Sequence, residues 1–143
     1  MDDSPVEFRR GGFVVTTDRN RIDPDEALAL LHTTFWAREM RRDVLARAIS
    51  NSVSFALLEG ERLIGFGRVV TDLTTYAYWT DVVIADGYEG RGLGRWLSEC
   101  MLGHPDLQGL RRVSLLTRDA ADIYVSVGFT VGPGPLVYME RKP

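Results

Sequence analysis

The stretch Tyr88-Glu89-Gly90-Arg91-Gly92-Leu93-Gly94-Arg95-Trp96-Leu97 decides how this chain folds. It follows an apolar run, Val82-Val83-Ile84, that predicts a buried strand. It opens a segment whose apolar residues recur at the spacing of one helix face, so the predicted order is strand, glycine-rich turn, helix. The first N–H groups of a helix have no partner within it and carry partial positive charge. Such a turn favours an anion, above all a pyrophosphate.

Two common anion-binding turns do not fit this stretch. The nucleotide-binding P-loop ends in Gly-Lys-Ser/Thr, whereas this turn ends in Gly94-Arg95-Trp96. The dinucleotide fingerprint needs the spacing G-x-G-x-x-G and an acidic residue about twenty positions later. Here the glycines alternate, and the chain beyond the helix, Pro105-Asp106-Leu107-Gln108-Gly109, predicts a loop. A glycine-rich turn that only packs is the remaining alternative.

The turn resembles the acetyl-CoA turn of the GCN5-related N-acetyltransferase (GNAT) family, whose motif is Gln/Arg-x-x-Gly-x-Gly/Ala. Residues 89–94 match this motif with one departure, because Glu89 stands where the family has Gln or Arg. A carboxylate beside a pyrophosphate is repulsive unless it points away or pairs with an arginine such as Arg91 or Arg95. The departure concerns a side chain and leaves the backbone cradle unaffected.

A second motif lies about thirty residues further along the chain. Residues 120–129 read Ala-Ala-Asp-Ile-Tyr-Val-Ser-Val-Gly-Phe and resemble the family's Ala-x-x-x-Tyr-x-x-x-Gly-Phe, with Tyr124, Gly128 and Phe129 in register. Either motif alone would be weak support, but each falls in the structural context that the family requires. Together they indicate a GNAT fold over nearly all of the chain.

The remaining pattern is compatible with that fold. Asp23-Pro24-Asp25-Glu26 has an N-cap acid and proline at the first helical position, which predicts a helix over 24–35, and a second helix is expected at about 38–49. Strands are predicted at 13–17, 54–58, 63–70, 76–84, 112–117, 129–131 and 136–139, and further helices after the glycine turn and at 119–127. The expected architecture is α/β (α+β): a mixed, mostly antiparallel sheet of six to seven strands, flanked by about four helices. By resemblance, its central parallel strands splay apart.

The amino-acid composition is typical of a globular protein. The chain has 143 residues, 45% of them hydrophobic and 26% charged, which predicts one globular N-acetyltransferase domain over residues 1–143. The net charge of −3 argues against a nucleic-acid partner. No apolar run approaches the length of a membrane span, and the acidic N-terminus, Met1-Asp2-Asp3-Ser4-Pro5, is unlike a signal peptide. We therefore expect a cytoplasmic protein with no membrane partner.

Cysteine and histidine offer no metal site. The single cysteine, Cys100, excludes an internal disulfide, and its place on an apolar helix face predicts a buried small residue. His32 and His104 lie in unrelated contexts without ligand spacing. We expect no bound metal.

The resemblance implies acetyl-CoA as co-substrate and assigns residues to hold it. The strand residues Val82, Val83 and Ile84 would bind the pantetheine arm through their backbone and polarise the thioester carbonyl. The turn would hold the pyrophosphate, through Gly90, Arg91, Gly92, Leu93, Gly94 and Arg95.

Two residues are candidates for proton transfer. Tyr124 occupies the position of the family's usual proton donor to the departing sulfur, and a phenol is neutral at working pH. Asp81 precedes the cofactor-binding run and is the candidate base. It is about as well explained as a residue that orients a loop or pairs with Arg68 across the sheet. The family's strand bulge would change the direction in which it points. Water could also carry the amine proton away.

The acceptor site is expected between two regions. The connection before the second helix borders the acceptor pocket in the family, so Trp36 and Arg38 are candidate substrate contacts, whereas Phe35 is better explained as core. Tyr76 and Tyr78 share one strand face and could line an apolar or cationic pocket.

The sequence thus predicts an N-acetyltransferase that moves an acetyl group from acetyl-CoA to a primary amine of a small molecule or peptide. The main alternative is a non-catalytic acyl-CoA-binding sensor, which would keep the glycine turn and lose catalytic residues. A third hypothesis is a phosphate-binding regulatory domain. A homodimer is compatible with the sequence, which names neither the acceptor nor the oligomeric state.

Overall fold

A computed structural model describes residues 4–132 and 134–143 of the chain. The elements, in chain order, are β1 Glu7–Arg10, β2 Phe13–Thr16, α1 Pro24–Leu31, α2 Arg42–Ser50, β3 Val53–Glu59, β4 Arg62–Thr71, β5 Tyr76–Ile84, α3 Leu93–Leu102, β6 Arg112–Leu115 and α4 Ala121–Ser126. The strands form one sheet in the order β1-β2-β3-β4-β5-β6. Every neighbouring pair is antiparallel except β5 and β6, which are parallel and joined through α3. The mixed sheet and four helices confirm the predicted fold class.

Helices cover both faces of the sheet. The first buried cluster joins one face of the sheet to α1 and α2, through residues that include Leu31, Leu45, Ala56, Leu58 and Phe66. The second joins the opposite face to α3, through residues that include Phe55, Leu57, Val69, Leu97 and Met101. Cys100 is buried in this second cluster, as predicted, and burial raises the pKa of its thiol to about 12. Most side chains of β3 and β4 are therefore buried between the helices and the sheet.

The start of α1 follows the predicted cap. The Asp23 carboxylate accepts a hydrogen bond from the backbone N–H of Asp25 at 2.9 Å, and Pro24 occupies the first turn. Glu26 instead reaches across to β4, where its carboxylate accepts the N–H of Leu63 at 3.0 Å. This contact fixes the helix to the sheet.

The connection between α1 and α2 is longer than predicted. α1 ends at Leu31 because the hydroxyls of Thr33 and Thr34 bond back to carbonyls of its last turn. α2 begins at Arg42, not near residue 38. Residues 32–41 therefore form an irregular segment that contributes side chains to the cleft described below.

Two predictions about strands were wrong. The sequence pattern missed β1, which pairs with β2 across a turn at Gly11. The closing strands predicted at 129–131 and 136–139 are not strands in the described part of the chain, and Pro133, within the turn predicted between them, lies outside the described residues. Val137 and Met139 are 82% and 86% exposed. A high strand propensity means that a side chain fits a half-buried sheet surface. In the structure, these residues are not paired with the sheet.

No helix in the described ranges has the length and apolar character that crossing a membrane requires.

The close packing at Gly65 in β4 gives a test of the fold. A methyl group there would lie 2.9 Å from Cβ and Cδ2 of Leu57 and 3.0 Å from Cδ1 of Ile84. We expect Gly65→Ala to lower the free energy of unfolding by about 1–3 kcal/mol, because these branched side chains cannot move freely. Urea unfolding measures the change. Gly12→Ala is the control, since nothing lies within 4 Å of a Cβ at that turn. Equal stability of the two variants would contradict the packing.

Candidate active site

The site begins where two parallel strands separate. β5 and β6 are paired from Tyr76 opposite Arg112 to Trp79 opposite Leu115. β5 then continues to Ile84, whereas β6 ends at Leu115. The splayed strands predicted from the resemblance are confirmed. Among the described residues, no strand lies beside residues 80–84 on the side from which β6 has departed.

The open edge of β5 presents backbone N–H groups. The N–H of Ala85 donates to the carbonyl oxygen of Ile64 in β4 at 2.8 Å. Backbone groups alternate sides along a strand, so the N–H groups of Val82 and Ile84 point away from β4. They face the gap between the separated strands. A buried N–H requires a partner, so this edge is suited to an extended ligand that accepts hydrogen bonds.

The separation opens a cleft of about 1070 Å³. Residues 78–84 of β5 form one wall. Residues 115–120, together with Ile123 and Tyr124 of α4, form the wall opposite. The glycine turn and the first residues of α3 line the cleft beyond Ile84, while Phe35 and Trp36 line it near Asp81. The cleft is large enough for an elongated molecule.

Two glycines, Gly90 and Gly92, leave the backbone of the turn before α3 uncovered on the side of the cleft. Gly90 and Gly92 have φ of 78° and 75°, a backbone region that glycine adopts without strain. A Cβ built on either residue meets nothing within 4 Å, and both residues line the cleft. Gly92 is the N-cap of α3, and the N–H of Trp96 donates to its carbonyl oxygen at 3.0 Å. The predicted order of strand, glycine turn and helix is confirmed.

Glu89 bends back into its own loop. Its carboxylate accepts the N–H of Gly87 at 2.9 Å. Hydrogen bonds from its own N–H and from that of Gly87 hold the pKa of Glu89 below the ordinary value, so the side chain is ionised at neutral pH. The carboxylate is held by backbone donors of its own loop. This contact turns the Glu89 carboxylate toward its own loop.

The two arginines of the turn are placed differently. The Arg91 guanidinium lies over the ring of Tyr88, 4.9 Å from its centroid, and lies outside the lining of the cleft. Arg95 lines the cleft, and its Nε is 3.5 Å from Oε1 of Glu99 one helical turn later. That ion pair is exposed and therefore weak. Arg95 can turn toward an anion at the start of α3.

Tyr124 lies on the wall opposite β5. Its ring packs edge-on against Trp79 and Phe129, with centroids 6.4 Å and 5.9 Å away. Burial raises the pKa of the Tyr124 phenol above its ordinary value, so the group stays protonated at neutral pH. The aromatic contacts hold the ring while its position on the cleft wall leaves it accessible to a ligand.

Asp81 occupies a bulge in β5. Phe66 pairs with Val83 and Arg68 with Thr80, so β5 has one residue more than β4 between these pairs. Asp81 has a φ of 59°, which is rare for a residue with a side chain. The bulge reorients a strand residue next to the cleft, as the family resemblance allowed.

The Asp81 carboxylate is buried and doubly held. Its side chain is 3% exposed. Nε and Nη2 of Arg68 donate to Oδ2 at 3.1 and 3.0 Å, and Nε1 of Trp36 donates to Oδ1 at 3.2 Å. The pair with Arg68 across the sheet is therefore present, and Asp81 lines the cleft as well. This geometry is compatible with both hypotheses for Asp81.

Aromatic and charged side chains surround the cleft near Asp81. Phe35 and Trp36 contact each other edge-on with centroids 5.2 Å apart. The Arg118 guanidinium lies 3.7 Å from the centroid of the Phe35 ring. This cation–π contact joins the connection before α2 to the segment after β6, on opposite sides of the cleft. Phe35 is 45% exposed, so the expectation that it belongs to the core was wrong.

Comparison with known proteins now fixes the family. A model described as the acetyltransferase (GNAT) domain matches residues 50–131, more than half of the chain. The chain belongs to the GNAT family of acetyltransferases. A Gibberella zeae protein named as an acetyltransferase is 31% identical over an alignment that covers 84% of this chain and 80% of that protein.

Solved acetyltransferase structures share the fold. A crystal structure from Xanthomonas campestris pv. campestris, described as an acetyltransferase of the GNAT family, is 37% identical. It matches with a TM-score of 0.85 over 92% of this chain and 93% of that one. Glucosamine-6-phosphate N-acetyltransferase from Arabidopsis thaliana has 15% identity and a TM-score of 0.67, over 91% of this chain and 97% of that one. At that identity the likeness concerns the fold alone.

Most of the predicted site residues of this GNAT protein meet in one cleft. The cleft lining includes Trp36, Tyr78, Asp81, Val82, Val83, Ile84, Gly90, Gly92, Leu93, Gly94, Arg95 and Tyr124. Arg38, Tyr76 and Arg91 lie outside the lining. Arg38 is exposed, and the Tyr76 hydroxyl is hydrogen-bonded to the Ser114 hydroxyl of β6. Tyr76 therefore contacts β6, and only Tyr78 of these two tyrosines lines the cleft.

Sequence reasoning missed the wall that follows β6. Leu116, Thr117, Arg118 and Asp119 line the cleft and carry no motif. The predicted splay of the strands could have identified these residues, because the segment that follows β6 must then border the gap between the strands. Phe35 could have been found from its adjacency to Trp36.

The buried ion pair provides a test of the site's framework. We expect Arg68→Met to lower the free energy of unfolding by about 3–5 kcal/mol, because it leaves the buried Asp81 charge without its cation. Arg42→Met is the matched control, since the Arg42–Asp25 pair is 2.6 Å long but its side chains are 58% and 65% exposed. That change should cost at most about 1 kcal/mol. Denaturant unfolding of both variants measures the difference, and equal losses would contradict the structural role of the Arg68–Asp81 pair.

Proposed function

We propose that this protein is an acetyl-CoA-dependent N-acetyltransferase acting on a primary amine of a small molecule or peptide. The observation that carries the proposal is the continuity of two binding features within one cleft. The open edge of β5 leads directly into the glycine turn at the start of α3. Together they suit a ligand with an extended amide-containing arm joined to a pyrophosphate.

The residues present are compatible with acetyl-CoA. We propose that Val82, Val83 and Ile84 hold the pantetheine arm, with the outward N–H groups of β5 as donors. The pyrophosphate would lie at the turn and first helical residues, held by Gly90, Gly92, Leu93, Gly94 and Arg95, which line the cleft. Arg91, which lies outside the lining, is a more distant candidate. The bare backbone at Gly90 and Gly92 supports this assignment, because a Cβ there would project into open space needed by a ligand. When bound, acetyl-CoA supplies the activated acetyl group.

Tyr124 is proposed as the general acid. Transfer of the acetyl group to an amine releases a thiolate, which leaves more readily when it receives a proton. The Tyr124 phenol lies on the cleft wall opposite β5 and is protonated at neutral pH. It can hold a proton for the departing sulfur. Its presence in the cleft also favours an enzyme over a sensor that binds acyl-CoA without turnover.

Asp81 is proposed as the general base for the incoming amine. Among the described residues, three carboxylates line the cleft, those of Asp81, Glu89 and Asp119. Glu89 is bonded within its own loop, and Asp119 lies in the wall beyond β6. Asp81 is directly before the proposed pantetheine strand, and the bonds from Arg68 and Trp36 fix its orientation. Trp36 and Tyr78 would then contact the acceptor, with Arg38 and Tyr76 as more distant candidates.

The glycine turn supplies the first test. Acetyl-CoA at one hundred times its Kd should stabilise the wild-type protein by about 2.7 kcal/mol, whereas ATP and NAD should do little. We expect Gly92→Val to abolish the stabilisation, because the side chain would occupy the cradle. Thermal unfolding with and without each ligand measures the effect. Gly60→Val is the control: Gly60 also has positive φ and open space around it but lies in the β3–β4 hairpin.

Two results would remove this assignment. One is equal stabilisation of the wild-type protein by ATP. The other is an unchanged acetyl-CoA effect in folded Gly92→Val.

Removing the Tyr124 hydroxyl provides the second test. We expect Tyr124→Phe to lower turnover by about 10²- to 10⁴-fold, with little change in acetyl-CoA binding or melting temperature. The phenyl ring would keep its contacts with Trp79 and Phe129. Steady-state kinetics across a panel of amines, with free thiol as the readout, gives the turnover. Unchanged single-turnover rates in the variant would assign Tyr124 to packing.

Replacing the Asp81 carboxylate by an amide is the third test. A general base accepts the proton of the incoming amine, and an amide side chain cannot do so. We expect Asp81→Asn to lower turnover, measured by steady-state kinetics, while acetyl-CoA binding persists. A lower unfolding free energy accompanied by wild-type turnover would assign Asp81 to the framework alone.

A further inference from the structure

Two arginines bring positive charge to the cleft, and only one of them lies beside the glycine turn. In the part of the chain that the structure describes, the cations that line the cleft are Arg95 and Arg118. Arg95 lies in α3, next to the turn where the pyrophosphate is proposed to bind. Arg118 follows β6 and contacts Phe35, on the side of the cleft where the acceptor is expected. The cofactor therefore accounts for Arg95 and leaves Arg118 without an assigned role.

An aromatic ring holds the Arg118 guanidinium in the cleft. Its central carbon lies 3.7 Å from the centroid of the Phe35 ring, which makes a cation–π contact. Nη2 of Arg118 lies 3.8 Å from Oδ2 of Asp119, beyond hydrogen-bond distance, and both side chains of that pair are exposed. A guanidinium has five N–H donors in a planar fork. Arg118 is therefore a positioned cation whose fork suits a carboxylate or a phosphate.

A series of contacts connects this cation to the proposed general base. Nε1 of Trp36 donates a hydrogen bond to Oδ1 of Asp81 at 3.2 Å. The rings of Trp36 and Phe35 meet edge-on with centroids 5.2 Å apart, and Phe35 in turn contacts Arg118. All four side chains line the same cleft. The aromatic pair thus lies between a carboxylate that contacts one ring and a guanidinium that contacts the other.

We propose that the acetyl acceptor carries an anionic group, a carboxylate or a phosphate, and that Arg118 binds this group. The amine of the acceptor then lies toward Asp81, and the body of the molecule lies along Phe35 and Trp36. The inference rests on the proposed acetyl transfer and names the class of acceptor. The anionic group takes no part in the bond changes, and its contact with Arg118 fixes the position of the amine.

The charges at this end of the cleft favour an anionic acceptor over a diamine. A second ammonium group beside Arg118 is repelled by the guanidinium, whereas a carboxylate or phosphate accepts two hydrogen bonds from it. Asp119 is the neighbouring carboxylate, but its side chain is 76% exposed, so solvent screens its attraction for a cation. An anion at Arg118 replaces only the weak contact with Asp119, so little is lost when it binds.

Matched acceptors test the preference for an anion. The panel contains amino carboxylates in a homologous series that begins with glycine, and aminoalkyl phosphates. Each is compared with a neutral analogue, the amide or the alcohol, and with a diamine of similar length. Free thiol released from acetyl-CoA gives kcat/KM. We expect the best anionic acceptor to exceed its neutral analogue by about 10- to 100-fold, because the analogue loses a charge-assisted hydrogen bond. The two anionic series show whether a carboxylate or a phosphate is bound.

Substitutions connect this preference to Arg118. Arg118→Gln should remove the preference, mainly by raising KM for the anionic acceptor, because the lost contact is remote from the reacting atoms. Arg118→Lys should keep part of it, since the charge remains without the planar fork. Arg118→Glu should favour the diamine. Arg111→Gln is the matched control and should keep the wild-type preference, because Arg111 is exposed, precedes β6 and lies outside the lining of the cleft.

Calorimetric titration of the protein saturated with CoA measures acceptor binding without turnover. The wild-type protein should bind the best anionic acceptor more tightly than Arg118→Gln does, by about 10- to 100-fold. Binding that depends on Arg118, without thiol release from any amine, would remove the proposed enzymatic function and support the anionic ligand.

Other results would overturn the inference and leave the proposed function in place. They are thiol release that is equal for anionic and neutral amines, a wild-type preference for the diamine, and an anion preference that persists in Arg118→Gln. Absence of both thiol release and anion binding would remove the inference and the proposed function together.

Discussion

The constraint on which the site depends is the early end of the pairing between β5 and β6. The two strands share four residue pairs, and then β5 continues alone on that side for five residues. A parallel strand in the middle of a sheet normally has partners on both edges, because buried backbone groups need hydrogen bonds. Here one edge of residues 80–84 has no partner strand among the described residues. The cleft, its two walls and the position of the glycine turn all follow from that separation.

The bulge at Asp81 connects the separated part of β5 to the rest of the sheet. It lies immediately beyond Thr80, where β5 has just parted from β6, and it directs a carboxylate toward Arg68 of β4 and Trp36 of the connection before α2. The ion pair ties the departing part of β5 to the antiparallel side of the sheet. The bond from Trp36 positions an otherwise exposed aromatic side chain beside the cleft. The same residue, Asp81, therefore ties the strand to its neighbours and lines the cleft.

The sequence predicted those elements that are determined by residues close together in the chain. The cap at Asp23, the strand before the glycine turn and the start of α3 were all placed by adjacent residues, and the two family motifs identified the cleft. The end of α1 and the start of α2 were misplaced. The hydroxyls of Thr33 and Thr34 bond to carbonyls at the end of α1, and helical periodicity does not reveal these bonds. The cation–π contact between Phe35 and Arg118 joins residues more than eighty positions apart, and no pattern encodes it.

The predicted closing strands show a different limit. Residues 136–139 have a strand's composition, yet a strand exists only when an edge pairs with it. Sequence alone gives the propensity of a segment and not the location of its partner. The orientation of Asp81 was undetermined for a related reason, because one extra residue in β5 reverses the direction that simple alternation assigns.

Amide hydrogen exchange at residues 82–84 tests the central claim most directly. The N–H of Val83 points toward β4, whereas those of Val82 and Ile84 point into the cleft. Acetyl-CoA should slow exchange at Val82 and Ile84 and leave Val83 nearly unchanged, with ATP giving no slowing at either position. Unchanged exchange at Val82 and Ile84 in the presence of saturating acetyl-CoA would contradict the claim that the open edge of β5 is the binding surface.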